Sequence, residues 1–180
     1  QVADRIQSIL DGINQRMSTY RDDSELSRFN QAPAGTVMEV SPDLFEIVQQ
    51  SLKVWRLSQG TFDISVGPLV NLWGFGPEGR PDRVPDEATR QAAWKRVGSD
   101  ALILHTETRQ LEKRKDLYLD LSGIAQGFAA DKVAAALEAL GIQRYLVEIN
   151  GEMRIGHAKA ADHPWRVAVE RPVEALHTVD

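Results

Sequence analysis

The chain has 180 residues, 42% of them hydrophobic and 26% charged, enough to bury the core of one domain or a pair of small ones. Its formal net charge of -5 argues against a broad nucleic-acid surface. It has no cysteine, which excludes disulfides, thiolate metal sites and a cysteine nucleophile.

From the start of the chain, Val2, Ile6, Ile9, Leu10, Ile13 and Met17 recur at steps of three and four. That spacing predicts an amphipathic helix ending near residues 18–20. Ser24 can cap a short helix through Phe29. Pro33-Ala34-Gly35 reads as a loop and residues 36–40 as a short strand. Ser41-Pro42-Asp43 starts a helix with a capping hydroxyl, a proline in the first turn and an acid on the positive end of the dipole. Leu44, Ile47, Val48, Ser51, Leu52 and Trp55 share one side of it, and Gly60 ends it. Residues 61–66 read as a strand with Phe62, Ile64 and Val66 on one face. Residues 67–85 are rich in glycine and proline and carry Trp73 and Phe75, a long structured loop.

Residues 86–97 read as a helix closed by Gly98, and 101–105 with 109–113 as a hairpin. Residues 117–121 read as a strand running into Ser122-Gly123. A helix over 123–140 follows, with Ala129, Val133, Leu137 and Leu140 inward and Gly141 as its cap. Residues 145–149 and 152–155 flank an Asn150-Gly151 turn, the signature of a type I′ hairpin. Residues 165–170 read as a further strand. The whole suggests an α+β class, mixed sheets with packed helices. The longest apolar runs fall far short of the roughly 20 residues that cross a bilayer. The chain begins inside a helical pattern and stops without a closing signal, which suggests that it is cut at both ends.

The corner from Gly123 to Gly127 lacks both the G-x-G-x-x-G fingerprint and the lysine of a P-loop. The free N–H groups opening its helix could still hold an anion. Alternatively, Gly127, Ala130 and Ala134 simply let that helix lie close to a sheet. Asp63 could face a ligand or water. Tyr20, Trp73 and Phe75 could stack a planar ring or fill a core. His105, His157, His163 and His177 show no metal spacing and read as surface residues. No G-x-S-x-G elbow is present, and Glu152 reads as a hairpin residue before a metal ligand.

Four ordered blocks then carry a resemblance. They are Met17-Ser18-Thr19-Tyr20-Arg21 with Ser24-Glu25-Leu26-Ser27-Arg28-Phe29-Asn30, the run 60–75 (GTFDISVGPLVNLWGF), the run 120–131 (DLSGIAQGFAAD) and the run 145–152 (YLVEINGE). Together they resemble the ApbE family of FAD:protein FMN transferases. The resemblance implies a T-fold-like flavin transferase architecture. It also implies FAD and Mg2+ as cofactors, transfer of the FMN half to a Thr or Ser hydroxyl of an acceptor flavoprotein, and release of AMP. The implied acceptors are subunits of quinone reductases and related electron-transfer complexes. The implied location is the periplasm, as an inner-membrane lipoprotein whose anchor lies outside these residues.

By the same resemblance, Tyr20 would lie against the flavin. Thr61, Phe62 and Asp63 would hold the cofactor through backbone and side-chain contacts. Ser122 would touch FAD, Phe128 would line the site, and the Ala125 carbonyl would be a metal ligand. No catalytic base is implied. Gln126 stands where many members carry Lys, and Asn150 where many carry Gly. Residues 1–180 would be a partial domain, without the family's N-terminal strand and its C-terminal metal-binding part. Two other functions fit the same blocks: a magnesium-dependent FAD pyrophosphatase and a non-catalytic FAD-binding maturation factor.

Overall fold

A computed structural model describes residues 1–168 except 78, 80, 82, 161 and 162. Helix α1 (Val2–Met17) buries Ile13 and Met17, the inner edge of its apolar stripe. Ser24 caps α2 (Glu25–Gln31), its hydroxyl accepting from the Ser27 N–H at 2.9 Å. After β1 (Val37–Glu39), Ser41 caps α3 (Pro42–Leu57) and accepts from the Leu44 N–H. The Ser41 hydroxyl also donates to Glu25, which ties α3 to α2. Leu44, Ile47, Val48, Ser51 and Leu52 of α3 are buried as one stripe. Gly60 takes φ +83° just past the helix, where an L side chain would be strained.

The next stretch departs from expectation. Residues 61–66 form no strand; Asp63 caps a single 3₁₀ turn, Ile64–Val66, which runs directly into α4 (Gly67–Leu72). The cause is local. The Asp63 carboxylate bonds the Ser65 N–H and so bends the backbone that an extended strand would straighten. The loop expected over 67–85 therefore begins as a helix, with Pro68 in its first turn where proline is tolerated. Asp86 caps α5 (Glu87–Trp94), shorter than the helix expected to reach Val97.

Strands β2 (Leu102–His105) and β3 (Gln110–Lys113) form the expected antiparallel hairpin. β1 joins its other side, giving the order β1-β3-β2. Helix α6 (Ala125–Ala139) ends at Leu140, which is exposed rather than inward as expected, and Gly141 follows at φ +77°. Strands β4 (Leu146–Ile149) and β5 (Glu152–Ile155) turn through Asn150 and Gly151, both at positive φ, as the sequence requires. Residues 165–168 form no strand, and 169–170 lie outside the described residues. His105 is half-buried against Glu112, His157 and His163 are exposed, and His177 lies outside the described residues.

The core gathers α1, α2 and α3 around Leu117, Leu119 and Leu121. A second cluster packs Val133, Ala134 and Leu137 of α6 on Tyr145. The alternation 117–119–121 is that of a strand, yet this segment pairs with no strand among the described residues. Its backbone bonds go elsewhere. The Asn30 amide grips Leu119 from both sides, donating to its carbonyl at 2.9 Å and accepting from its N–H at 2.8 Å. Asp120 N–H donates to the Ile64 carbonyl at 2.7 Å. The buried Lys113 ammonium donates to the Asn30 and Leu117 carbonyls at 3.0 and 3.4 Å. Burial pushes the Lys113 pKa below the ordinary lysine value.

Candidate functional site

Two clefts meet at Ser122, directly after the pinned 117–121 segment. The larger, about 730 Å³, is lined by the apolar side chains of Trp55, Phe62, Val66, Val70, Phe75 and Trp94 together with Thr61, Asp63, Asp120 and Gly123. The smaller, about 290 Å³, lies between the end of α1 and the start of α6 and is lined by Thr19, Tyr20, Ser122, Ala125, Gln126 and Asn150. Tyr20 stands between them. Its hydroxyl donates to the Phe75 carbonyl at 3.1 Å, while its ring is 68% exposed. Phe75 is exposed as well, at 72%, and lines the larger cleft, whereas Trp73 is exposed but lines neither. An aromatic ring left in water beside a cleft is available to stack on a planar ligand.

The polar groups are set by short-range bonds. Asp120 is buried, and its carboxylate accepts from the Ser122 N–H at 2.8 Å, which fixes the corner. Helix α6 then starts at Ala125 without a side-chain cap; the Ile124 and Ala125 N–H groups are spent on the Leu121 carbonyl at 3.0 and 2.8 Å, so the groups open to a ligand are those of the next residues, Gln126 and Gly127. A dinucleotide fits this arrangement: two cavities for planar groups, joined at a helix N-terminus suited to a pyrophosphate.

Asp63 is more firmly held than its sequence context suggests. Burial would raise its pKa, but hydrogen bonds from Ser65 and Ser99 outweigh this and hold the carboxyl below the ordinary aspartate value. Its four contacts are the Ser65 N–H at 2.8 Å, the Ser65 hydroxyl at 2.6 Å, the Ser99 hydroxyl at 2.6 Å and the Ser99 N–H at 3.2 Å.

The structure brings Tyr20, Thr61, Phe62, Asp63, Ser122 and Ala125 to these clefts. Phe128 lines neither; it packs on the core with the Lys132 ammonium 4.8 Å from its ring. Gly127 does not relieve a close approach, because a Cβ built there meets nothing within 4 Å. Gly67, just before the larger cleft's Val70, is crowded instead: its Cβ would meet the Tyr118 ring and, at 2.6 Å, the Tyr118 carbonyl. Trp55, Trp94 and Ser99 were not legible as site residues. Trp55 sits on the stripe that otherwise fills the core, Trp94 ends a helix with no buried residue, and Ser99 follows a glycine at φ +140°.

Magnesium fits less well. No group of three or more His, Cys, Asp or Glu side chains among the described residues is placed to hold a metal. The lining around Ala125 offers hydroxyls, amides and carbonyls but no carboxylate, whereas magnesium is usually bound through one or two carboxylates plus phosphates. These residues do not by themselves make a magnesium site.

Comparison with known proteins gives the family. An FAD:protein FMN transferase of Haemophilus influenzae is 42% identical over 175 residues, covering 94% of this chain and 50% of that protein. The structure named flavin transferase ApbE from Vibrio cholerae superposes with a TM-score of 0.90 at 42% identity, over 95% of this chain and 55% of that one. The apo flavinyl transferase ApbE of Pseudomonas stutzeri gives 0.88 at 39% identity, over 93% and 54%. The chain thus spans about half the length of the curated relatives it matches. The ApbE family profile matches residues 1–180, and the chain, an α+β fold, belongs to the ApbE family.

Proposed function

We propose that this chain supplies the dinucleotide-binding part of an FAD:protein FMN transferase. The carrying observation is the meeting of two clefts at Ser122, one walled by aromatics and one under Tyr20, beside an uncapped helix start. In this reading Tyr20 stacks on the flavin, and residues 61–63 and Ser122 orient the dinucleotide. The α6 N–H groups meet the pyrophosphate. Trp55, Phe75 and Trp94 offer the dinucleotide apolar surface in the larger cleft.

The reaction transfers the FMN phosphoryl group to an acceptor hydroxyl. The hydroxyl oxygen of a Thr or Ser on a flavoprotein forms a bond to the FMN phosphorus. The phosphoanhydride bond to AMP breaks, AMP leaves, and the hydroxyl proton is released. The contribution of residues 60–63 and 122–126 is to hold the reacting phosphorus in line with the acceptor oxygen. Were magnesium bound, it would neutralise pyrophosphate charge, and of these residues the Ala125 carbonyl is the donor the resemblance would assign to it. The acceptor is a subunit of a quinone reductase or a related electron-transfer complex, met in the periplasm by a lipid-anchored enzyme; cell fractionation tests the location.

The function is tested by incubating the full-length protein with FAD, magnesium and an acceptor domain. The expected outcome is an acceptor heavier by one FMN, with AMP in equal amount. Free FMN with an unmodified acceptor would instead establish a pyrophosphatase, and intact FAD a binding protein.

A further inference from the structure

The Asp63 carboxylate accepts four hydrogen bonds, three on Oδ1 from the Ser65 N–H, the Ser65 hydroxyl and the Ser99 hydroxyl, and one on Oδ2 from the Ser99 N–H. The Ser65 hydroxyl, having donated to Asp63, accepts from the Gly98 N–H at 2.7 Å. Ser65 and Ser99 are both buried. The bonds therefore join residues 63–65 to residues 98–99, the two ends of one excursion of the chain. That excursion, from Gly67 to Val97, carries α4 and α5 and supplies Val70, Phe75, Trp94 and Val97 to the larger cleft.

We propose that Ser65 and Ser99 are positioning residues that act through Asp63: the three side chains form a clasp that sets the width of the aromatic cleft. This rests on the reading of that cleft as the FAD site. The clasp then takes up Asp63 Oδ1, while Oδ2 accepts only from the Ser99 N–H and keeps one accepting position; residues 61–63 otherwise present main chain, the Thr61 hydroxyl and the Phe62 ring. The chemistry favours this arrangement. A half-buried carboxylate bonded by two hydroxyls and two N–H groups is a strong, rigid junction, because charge-assisted bonds are about twice as strong as neutral ones. Opening it would leave a half-buried anion short of partners.

The test uses the full-length protein and the variants Ser99→Ala, Asp63→Asn and the double variant. FAD affinity is measured by titration calorimetry, kinetics by AMP release, and clasp integrity by amide hydrogen exchange over residues 61–66 and 98–102. Ser99→Ala is expected to raise the FAD Kd and KM about three- to tenfold, less than a charged hydrogen bond is worth in full, because the loss reaches FAD only through the shape of the cleft. Its kcat should stay within about twofold of wild type, and exchange should quicken at both ends of the excursion. A variant that merely unfolds in part would lose kcat at unchanged KM. Asp63→Asn should weaken FAD similarly, and the double variant little more than either single one, since all three break one junction. Additive losses would mean that Asp63 touches FAD directly and would overturn the proposal. Unchanged FAD affinity in Ser99→Ala would also overturn it, even with faster exchange. Wild-type protein that binds no FAD would sink the flavin reading itself and this role with it. A wild type that binds beside an unaffected Ser99→Ala would sink the clasp alone.

Discussion

Replacing Asn30 by alanine should cost more than any exposed polar substitution in this chain. Asn30 Nδ2 donates to the Leu119 carbonyl at 2.9 Å, and Oδ1 accepts from the Leu119 N–H at 2.8 Å. Leu119 is fully buried, so neither backbone group can turn to water once the amide is gone. An orphaned buried donor or acceptor costs about 1–3 kcal/mol. Two of them, with some relaxation, give about 2–4 kcal/mol. For a domain of this size each kcal/mol moves the melting temperature by about 2–4 °C, so the midpoint should fall by about 4–16 °C. Urea titration, with the midpoint and slope read separately, checks the free energy. Leu119 lies three residues before Ser122, so FAD affinity should fall with it. A loss under about 1 kcal/mol at unchanged slope would show that Leu119 finds other partners, and the account of the 117–121 segment would be wrong.

Tyr20→Ala should weaken FAD binding by about 1–2 kcal/mol, the scale of one aromatic contact, whereas Tyr20→Phe should lose only the bond to the Phe75 carbonyl; calorimetry distinguishes the two, and equal affinity in all three proteins would remove Tyr20 from the site. Gly67→Ala should destabilise by about 1–3 kcal/mol as its Cβ meets the Tyr118 carbonyl, while Gly127→Ala, with open space around its Cβ in a helix, should stabilise by about 0.5–1 kcal/mol; thermal melts that reverse this order would refute the packing of α4 on residue 118. Asp63 has a folded-state pKa below its ordinary 3.8, so the stability that its bonds contribute is fully present above that value and is lost as the pH falls through the folded one. The difference in unfolding free energy between wild type and Asp63→Asn should therefore be flat above about pH 5 and shrink on acidification; a difference that grows toward low pH would contradict the assigned bonds.

Much of this protein was legible where a local rule closes on itself. Ser24 and Ser41 cap their helices through bonds that span three residues. Gly60 and Gly141 follow their helices because only glycine takes the left-handed turn at little cost. Asn150-Gly151 fixes its hairpin within four residues. The four motif blocks could likewise be read as strings, and they named the family and most of the cleft.

What failed were the segments whose backbone partners are remote. Residues 117–121 alternate as a strand does, but alternation reports only which side chains are buried, not what the backbone bonds. Here the partner is an amide 89 residues away. Residues 61–66 alternate too, and Asp63 bends them into a turn whose stability depends on Ser99, 36 residues further on. Gly127 and Phe128 sit inside a motif that points to the cleft, yet helix phase turns Phe128 onto the core and leaves Gly127 uncrowded. Sequence by itself determined helices α1, α2, α3 and α6, the hairpins and the family, because caps, turns and motif blocks act over a few residues. The tertiary structure alone decided which polar atoms meet across the cleft, because such a bond forms only when distant segments have already packed around the same core.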